Sequence, residues 1–422
     1  MPLGGVSRWY LGAALVHLAL AGALVLLDGE TAVLTVRWDV LVWLLLIGFV
    51  GCTTAGLSLH LFPALARRLM SHGPGPVLAF GTAEASVVVG TVGFYVGRSP
   101  PGLPGTATIP GLLLLVSVGL VLFLFISSLT HPRVAGPGPE VRPGDAVTVP
   151  LFLTSWGAAV VAGALFVLSG WAVGPGLGWW LAAVHLFVLG HATVLVASVS
   201  LRLVPRSVDS DAPRPVAVGL AILAILGGAL VPVGMLVLPS SESPFLALWA
   251  VPEAGFAVLF AVLLVHLGVR ARTPHPQLGL QLSSALLLLL GGGVGLWMVS
   301  QSNYDLVVAH ALVNVLGFIG LMILVMWFGM IAPFQRISHA WTRRMLWILS
   351  AAWLAGVVAL AAAGAAVPIV PGAASAIGGG LLLGVAIAWG VGTLPVLFPR
   401  IHPLPGMTVE QIRAVRERWS RR

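Results

Sequence analysis

The sequence predicts an all-α, polytopic membrane protein of twelve transmembrane helices. They form three parallel four-helix repeats, with both termini in the cytoplasm (N-in/C-in). Three observations predict this. The chain has 422 residues, of which 59% are hydrophobic and only 8% charged, with mean hydropathy +1.05; soluble domains carry about 25% charged residues, and a disordered chain needs the opposite balance. Windows of about 20 apolar residues, the length that crosses a bilayer, recur twelve times. Paired sequence markers return at nearly constant intervals.

The twelve windows fall at 9–27, 40–62, 76–96, 108–129, 149–171, 178–204, 215–238, 244–268, 277–299, 304–330, 345–366 and 375–398. The first is long, lacks a small-residue cleavage site and is followed by further spans, so it reads as a span and not as a cleaved signal. All 21 basic residues are Arg. Nineteen of them lie at the N-terminus, in the loops after spans 2, 4, 6, 8 and 10, and in the tail; only Arg37 and Arg98 fall on the other side. The positive-inside rule then puts both termini in the cytoplasm, as an even span count also requires. Because the Arg residues sit in short loops, the high pI is read as membrane orientation and not as nucleic-acid binding. The Arg-only, Gly- and Pro-rich composition points to a prokaryotic cytoplasmic (inner) membrane, with the lipid bilayer as the obligatory partner. Trp9, Trp38, Trp179 and Trp180 stand at span ends and read as an interfacial belt.

Three His-Pro dipeptides, at His131, His275 and His402, each follow a span whose number is a multiple of four. Gly48-Phe49, Gly190-His191 and Gly317-Phe318 lie in spans 2, 6 and 10, and these spans leave the membrane at Pro63, Pro205 and Pro333. The two markers share spacings of 142–144 and 127 residues, and "GLSLHLFP" (56–63) matches "SVSLRLVP" (198–205). The expected organisation is repeat 1 at 1–135, repeat 2 at 136–276, repeat 3 at 277–404 and a basic tail helix at 405–422, opened by the capping-box pair Thr408 and Gln411. Units with an even number of spans insert the same way round, so the repeat axis runs along the membrane normal.

Ionisable groups inside spans are costly and face the bundle interior. At about 1.5 Å per residue, His185 (span 6), His310 (span 10) and Glu253 (span 8) share an outer layer. His17 (span 1) and Glu84 (span 3) lie a similar distance in from the inner side, and His191 approaches them. Neutral imidazole is a common metal ligand, so His185 and His310 are the candidate metal ligands. Asn314 and Gly317 follow His310 at i+4 and i+7, on one helix face, and complete a candidate cofactor-binding set. The alternative is a hydrogen-bonded His in a helix interface with Gly as a packing notch. Glu253, Glu84, His191 and His17 are candidates for a proton or ion path, or else polar groups used for packing. Glu253 follows Pro252, a candidate kink. The single Cys52 lies in an apolar span and is expected to exclude a disulfide framework and a Cys-based metal cluster.

Span 10, "AHALVNVLGFIG" (309–320), and span 6, "AVHLFVLGHATVLV" (183–196), resemble the ligand-bearing helices of the haem-copper oxidase subunit I superfamily. Span 10 is also similar to an H-x-x-x-N-x-x-G-F pattern of uncharacterised YndJ-like bacterial membrane proteins. The resemblance implies three four-helix arcs, metal ligands on helices 2, 6 and 10, and one b-type haem or one copper ion in a redox or gas-sensing role. Span 7 has no His, span 10 has one, and His60 of span 2 lies at the cytoplasmic end. A reduced site is therefore implied and not a full haem-copper pair. Respiratory-chain subunits are the protein partners it would imply. A proton-coupled transporter or channel, and a structural or assembly partner of a respiratory complex, remain open beside it.

Overall fold

The computed structural model describes residues 5–27, 38–68, 70, 73–96, 107–132, 141–171, 176–237, 246–271, 277–301, 303–334, 339–365 and 371–397. The expected tail helix at 405–422, and the His-Pro pairs at His275 and His402, lie outside these residues. Among the described residues, twelve helices are long and apolar enough to cross a membrane. They are α1 (Gly5–Leu27), α2 (Val40–Ala66), α3 (Gly75–Tyr95), α4 (Thr108–Thr130), α5 (Pro143–Trp171) and α6 (Gly178–Ser207), then α7 (Arg214–Val237), α8 (Leu246–Arg270), α9 (Gln277–Gln301), α10 (Val307–Phe328), α11 (Arg343–Gly364) and α12 (Ala373–Thr393). The apolar length of each window sets its helix, because backbone polar groups in hydrocarbon must be satisfied internally. Outward-facing Leu, Val, Ile and Phe side chains such as Leu27, Phe123, Val269 and Val391 remain exposed, as a lipid-facing shell requires.

Burial divides the helices into two classes. In α2, α6 and α10 the most apolar window is 83%, 83% and 89% buried, whereas in the other nine it is between 28% and 50%. Nine helices therefore surround three. Around the outside α4 packs on α5, α8 on α9, and α12 closes against α1. The closure is tight: a methyl group at Gly22 would lie 2.7 Å from the Leu383 backbone nitrogen, and one at Gly379 2.6 Å from that of Leu26. Small residues allow such close backbone approach where the hydrophobic effect does not drive helices together.

The three inner helices share a departure from α geometry. Leu44–Gly51 in α2, Leu186–Thr193 in α6 and Val313–Gly320 in α10 are π-helical. The wider turn is visible in its hydrogen bonds: the Cys52 N–H reaches the Ile47 carbonyl and the Leu321 N–H reaches that of Leu316. The three segments touch one another at the centre of the bundle. Each carries a glycine at its fifth position that faces a neighbouring helix. Gly48 meets the His17 ring, Gly190 meets Ala158 and Gly228, and Gly317 meets Leu287 and Val357.

At one end of the bundle an ionic staple joins α5 to α6. Asp145, in the 3-10 turn that opens α5, takes Arg202 at 2.9 Å and Arg206 at 2.6 Å. Arg142 donates to the Pro205 and Ser210 carbonyls at 2.9 Å each and pairs with Asp209 at 3.2 Å. His131 closes α4 in an extended conformation, the conformation favoured before proline.

Span 8 is interrupted beside Pro252: it breaks at Ala250, between a short turn (Leu246–Trp249) and the long helix Val251–Arg270, and Pro252 occupies the first turn of the latter. Proline is well placed there because the missing N–H would have no intrahelical partner. Trp180 is not part of an interfacial belt; it is fully buried against Phe166, whereas Trp9 and Trp179 are exposed.

Candidate functional site

The imidazoles of His185 and His310 lie together. His185 ends the α-helical part of α6 just before its π segment, and His310 stands three residues before the π segment of α10. Contact between these two π segments brings the side chains across the α6–α10 junction. Their ring centroids are 6.2 Å apart with the planes 25° from parallel. His185 Nδ1 lies 2.8 Å from the Leu181 carbonyl, and His310 Nδ1 lies 2.8 Å from the Gly291 carbonyl of α9. A carbonyl only accepts, so each Nδ1 carries the proton and each neutral ring keeps its lone pair on Nε2. Metal-ligating histidines are held in this way, with the second nitrogen donating to a carbonyl or carboxylate.

Asn314 sits beside the pair without a hydrogen bond to either ring, because His310 Nδ1 already carries a proton. Its Nδ2 donates to the His310 carbonyl at 2.9 Å and lies 3.3 Å from His310 Nδ1. The glycine beside the His310 ring is Gly295 of α9, while Gly317 faces Leu287 and Val357. The π segment begins between His310 and Gly317 and changes the angular phase, so the α-helical spacing i, i+7 no longer describes one face.

His191 is a different kind of imidazole. It is fully buried, with Nε2 3.1 Å from Thr54 Oγ1 of α2, and Nδ1 3.1 Å from both Ser155 Oγ and the Ser155 carbonyl of α5. Trp156 and Phe187 pack on its ring. Both nitrogens are engaged, and the side chain ties three helices together.

Glu253 lies apart from the His pair, against Gly227 of α7. It is buried, and neither carboxyl oxygen has a hydrogen-bond partner. His17 and Glu84 do meet. His17 Nε2 is 3.4 Å from Glu84 Oε2, and the Cys52 thiol lies 3.4 Å from Glu84 Oε1. Cys52 is absent from the sequence-derived site. It immediately follows the π segment of α2, where an α-helical wheel loses its phase, and no local motif marks it.

The fold and the apolar shell define a multi-pass membrane protein. The chain matches no protein-family model and no curated protein.

Proposed function

We propose that the chain is a membrane-embedded redox or gas-handling protein built on the plan of haem-copper oxidase subunit I, in which His185 and His310 hold one metal centre. The centre is the iron of one b-type haem or a copper ion. The observation that carries this reading is the pair of neutral imidazoles at 6.2 Å, each with Nδ1 committed to a carbonyl and its Nε2 lone pair uncommitted. Two nitrogens at about 2.0–2.1 Å from a shared ion, plus the offset of each nitrogen from its ring centre, place the ring centres on the order of 6 Å apart. An all-imidazole donor set suits iron and copper. When bound, the metal would supply one-electron chemistry or bind a diatomic gas. The chain's own residues fix the tautomer and orientation of both rings through the Leu181 and Gly291 carbonyls.

The architecture supports the same reading. The π segments begin at residues 44, 186 and 313, which are 142 and 127 residues apart. These are the intervals of the Gly48, Gly190 and Gly317 marker. We read the chain as three parallel four-helix repeats, α1–α4, α5–α8 and α9–α12, each giving its second helix to the centre, with both termini cytoplasmic in a prokaryotic inner membrane. π turns recur at functional sites, and these three converge. Respiratory-chain subunits are the partners this reading implies.

The test is an optical spectrum and metal analysis of the full-length protein purified from haem- and copper-replete cells. The expected result is a Soret band, or a copper signal without one, at one equivalent per chain; His310→Ala and His185→Ala each abolish it. A colourless preparation lacking both metals contradicts the proposal. Glu253 favours a second reading, a proton-coupled carrier or channel, because its carboxyl is buried without a partner. Uptake in vesicles that is lost in Glu253→Gln and retained in His310→Ala would select it.

A further inference from the structure

We propose that His17, Cys52 and Glu84 form a binding site for one divalent transition-metal cation of the zinc class, separate from the His185–His310 pair. The three residues come from α1, α2 and α3, so the site belongs to the first quartet alone. One ligand atom from each (an imidazole nitrogen, the thiol sulfur and a carboxylate oxygen) lies within 4.8 Å of the others. Tetrahedral ligands at about 2.3 Å for sulfur and 2.0–2.2 Å for nitrogen and oxygen stand roughly 3.3–3.8 Å from one another. His17 Nε2 lies 3.4 Å from Glu84 Oε2 and Cys52 Sγ 3.4 Å from the other oxygen, Oε1, so a rotation of the carboxyl brings one oxygen to both partners. An ion therefore fits with small side-chain adjustments.

Charge gives the second argument. A thiolate and a carboxylate sum to two negative charges, so a divalent cation makes the cluster neutral. Neutrality matters in a low-dielectric interior, where an unbalanced charge costs several kcal/mol. A mixed N, S, O set suits a borderline-soft ion, and three protein ligands leave a fourth position open for an exchangeable ligand.

The third argument is that one nitrogen of the triad is left without a partner, on the side of the ring that faces Gly48. His17 is 5% exposed, and its Nδ1 has no hydrogen-bond partner. His191, at the same core, is engaged on both nitrogens. Helix packing does not demand an imidazole at this place either. His17 covers Gly48 of its inner helix, and the residues that cover Gly190 and Gly317 include Ala158 and Leu287. The polar triad is thus not required by the glycine contact that the three inner helices share.

The test titrates Co²⁺ into the chelator-treated, full-length His310→Ala protein in detergent, so that the His pair cannot contribute. The expected result is one saturating equivalent, visible d–d bands of a tetrahedral site, and a near-ultraviolet thiolate-to-cobalt charge-transfer band. Cys52→Ser removes that band. Glu84→Gln and His17→Ala weaken binding at least about 100-fold, the upper end of what loss of even an outer-shell partner costs. Should Cys52→Ser fail to fold, Glu84→Gln, which keeps size and hydrogen bonding, carries the test. No saturable binding, no thiolate band, or wild-type affinity in Glu84→Gln overturns the proposal. A normal His185–His310 centre in the Cys52→Ser protein would show that the two sites stand or fall separately.

Discussion

His191 and the His185–His310 pair place imidazoles on the same two inner helices, yet they are satisfied in opposite ways. His191 spends both nitrogens on Thr54 and Ser155 and lies fully buried within the aromatic packing of Trp156 and Phe187. His185 and His310 each commit one nitrogen to a carbonyl, and their rings lie near-parallel with centroids 6.2 Å apart across a helix junction. A buried polar group must find partners because leaving it unsatisfied costs about 1–3 kcal/mol. Full satisfaction by protein marks a histidine that holds the fold, and half satisfaction marks one that has coordination capacity left. Glu253 extends the series to its far end, with neither oxygen engaged.

Substitutions can break this comparison, beginning with the largest effect. His191→Ala removes a group that three helices share and strands the Ser155 hydroxyl, while Thr54 keeps its bond to the Gly51 carbonyl. It is expected to lower stability by about 2–4 kcal/mol, read as an earlier melting transition in detergent, while the metal content of the surviving folded protein stays at wild-type level. A melting point equal to wild type would mean that His191 is not the structural imidazole described. Asn314→Ala removes a side chain that packs beside His310 and donates only to its main-chain carbonyl. Metal retention is expected to fall by less than the roughly 10-fold that losing an outer-shell hydrogen bond to a ligand costs, with little change in melting. A fall of about 10-fold or more in retention against a chelator would mean that Asn314 holds the His310 ring. The smallest effect is expected for Glu253→Leu, which replaces an unpartnered buried carboxyl with an apolar side chain of similar size. Its stability should be unchanged or up to about 1 kcal/mol higher. A loss of several kcal/mol would reveal a buried partner for Glu253.

The twelve helices were legible because hydropathy is a property of each window taken alone, and the window 178–204, for instance, falls within Gly178–Ser207. The inner role of α2, α6 and α10 was foreshadowed by Gly48, Gly190 and Gly317, since a glycine that lets helices approach leaves a mark at a fixed interval. Matching depths from rise per residue paired His185 with His310. Rotation about the helix axis was not legible. The π segments shift the phase of everything beyond them, which is why Gly295 and not Gly317 borders His310. The same shift hides Cys52 from any reading of α2 as a regular wheel. Span 8 reads as one continuous apolar run, and its break at Ala250 left no mark distinct from the Pro252 beside it.

The account rests most heavily on His185 and His310 sharing one metal. The direct measurement is metal stoichiometry per chain in a Cys52→Ala background, which removes the thiol of the second proposed site, compared with the same background carrying His185→Ala, His310→Ala or both. The account predicts one iron or copper per chain in the parent and none in either single variant, with the double variant no different from the singles. Metal retained at full occupancy in either single variant, or none in the parent, would contradict it.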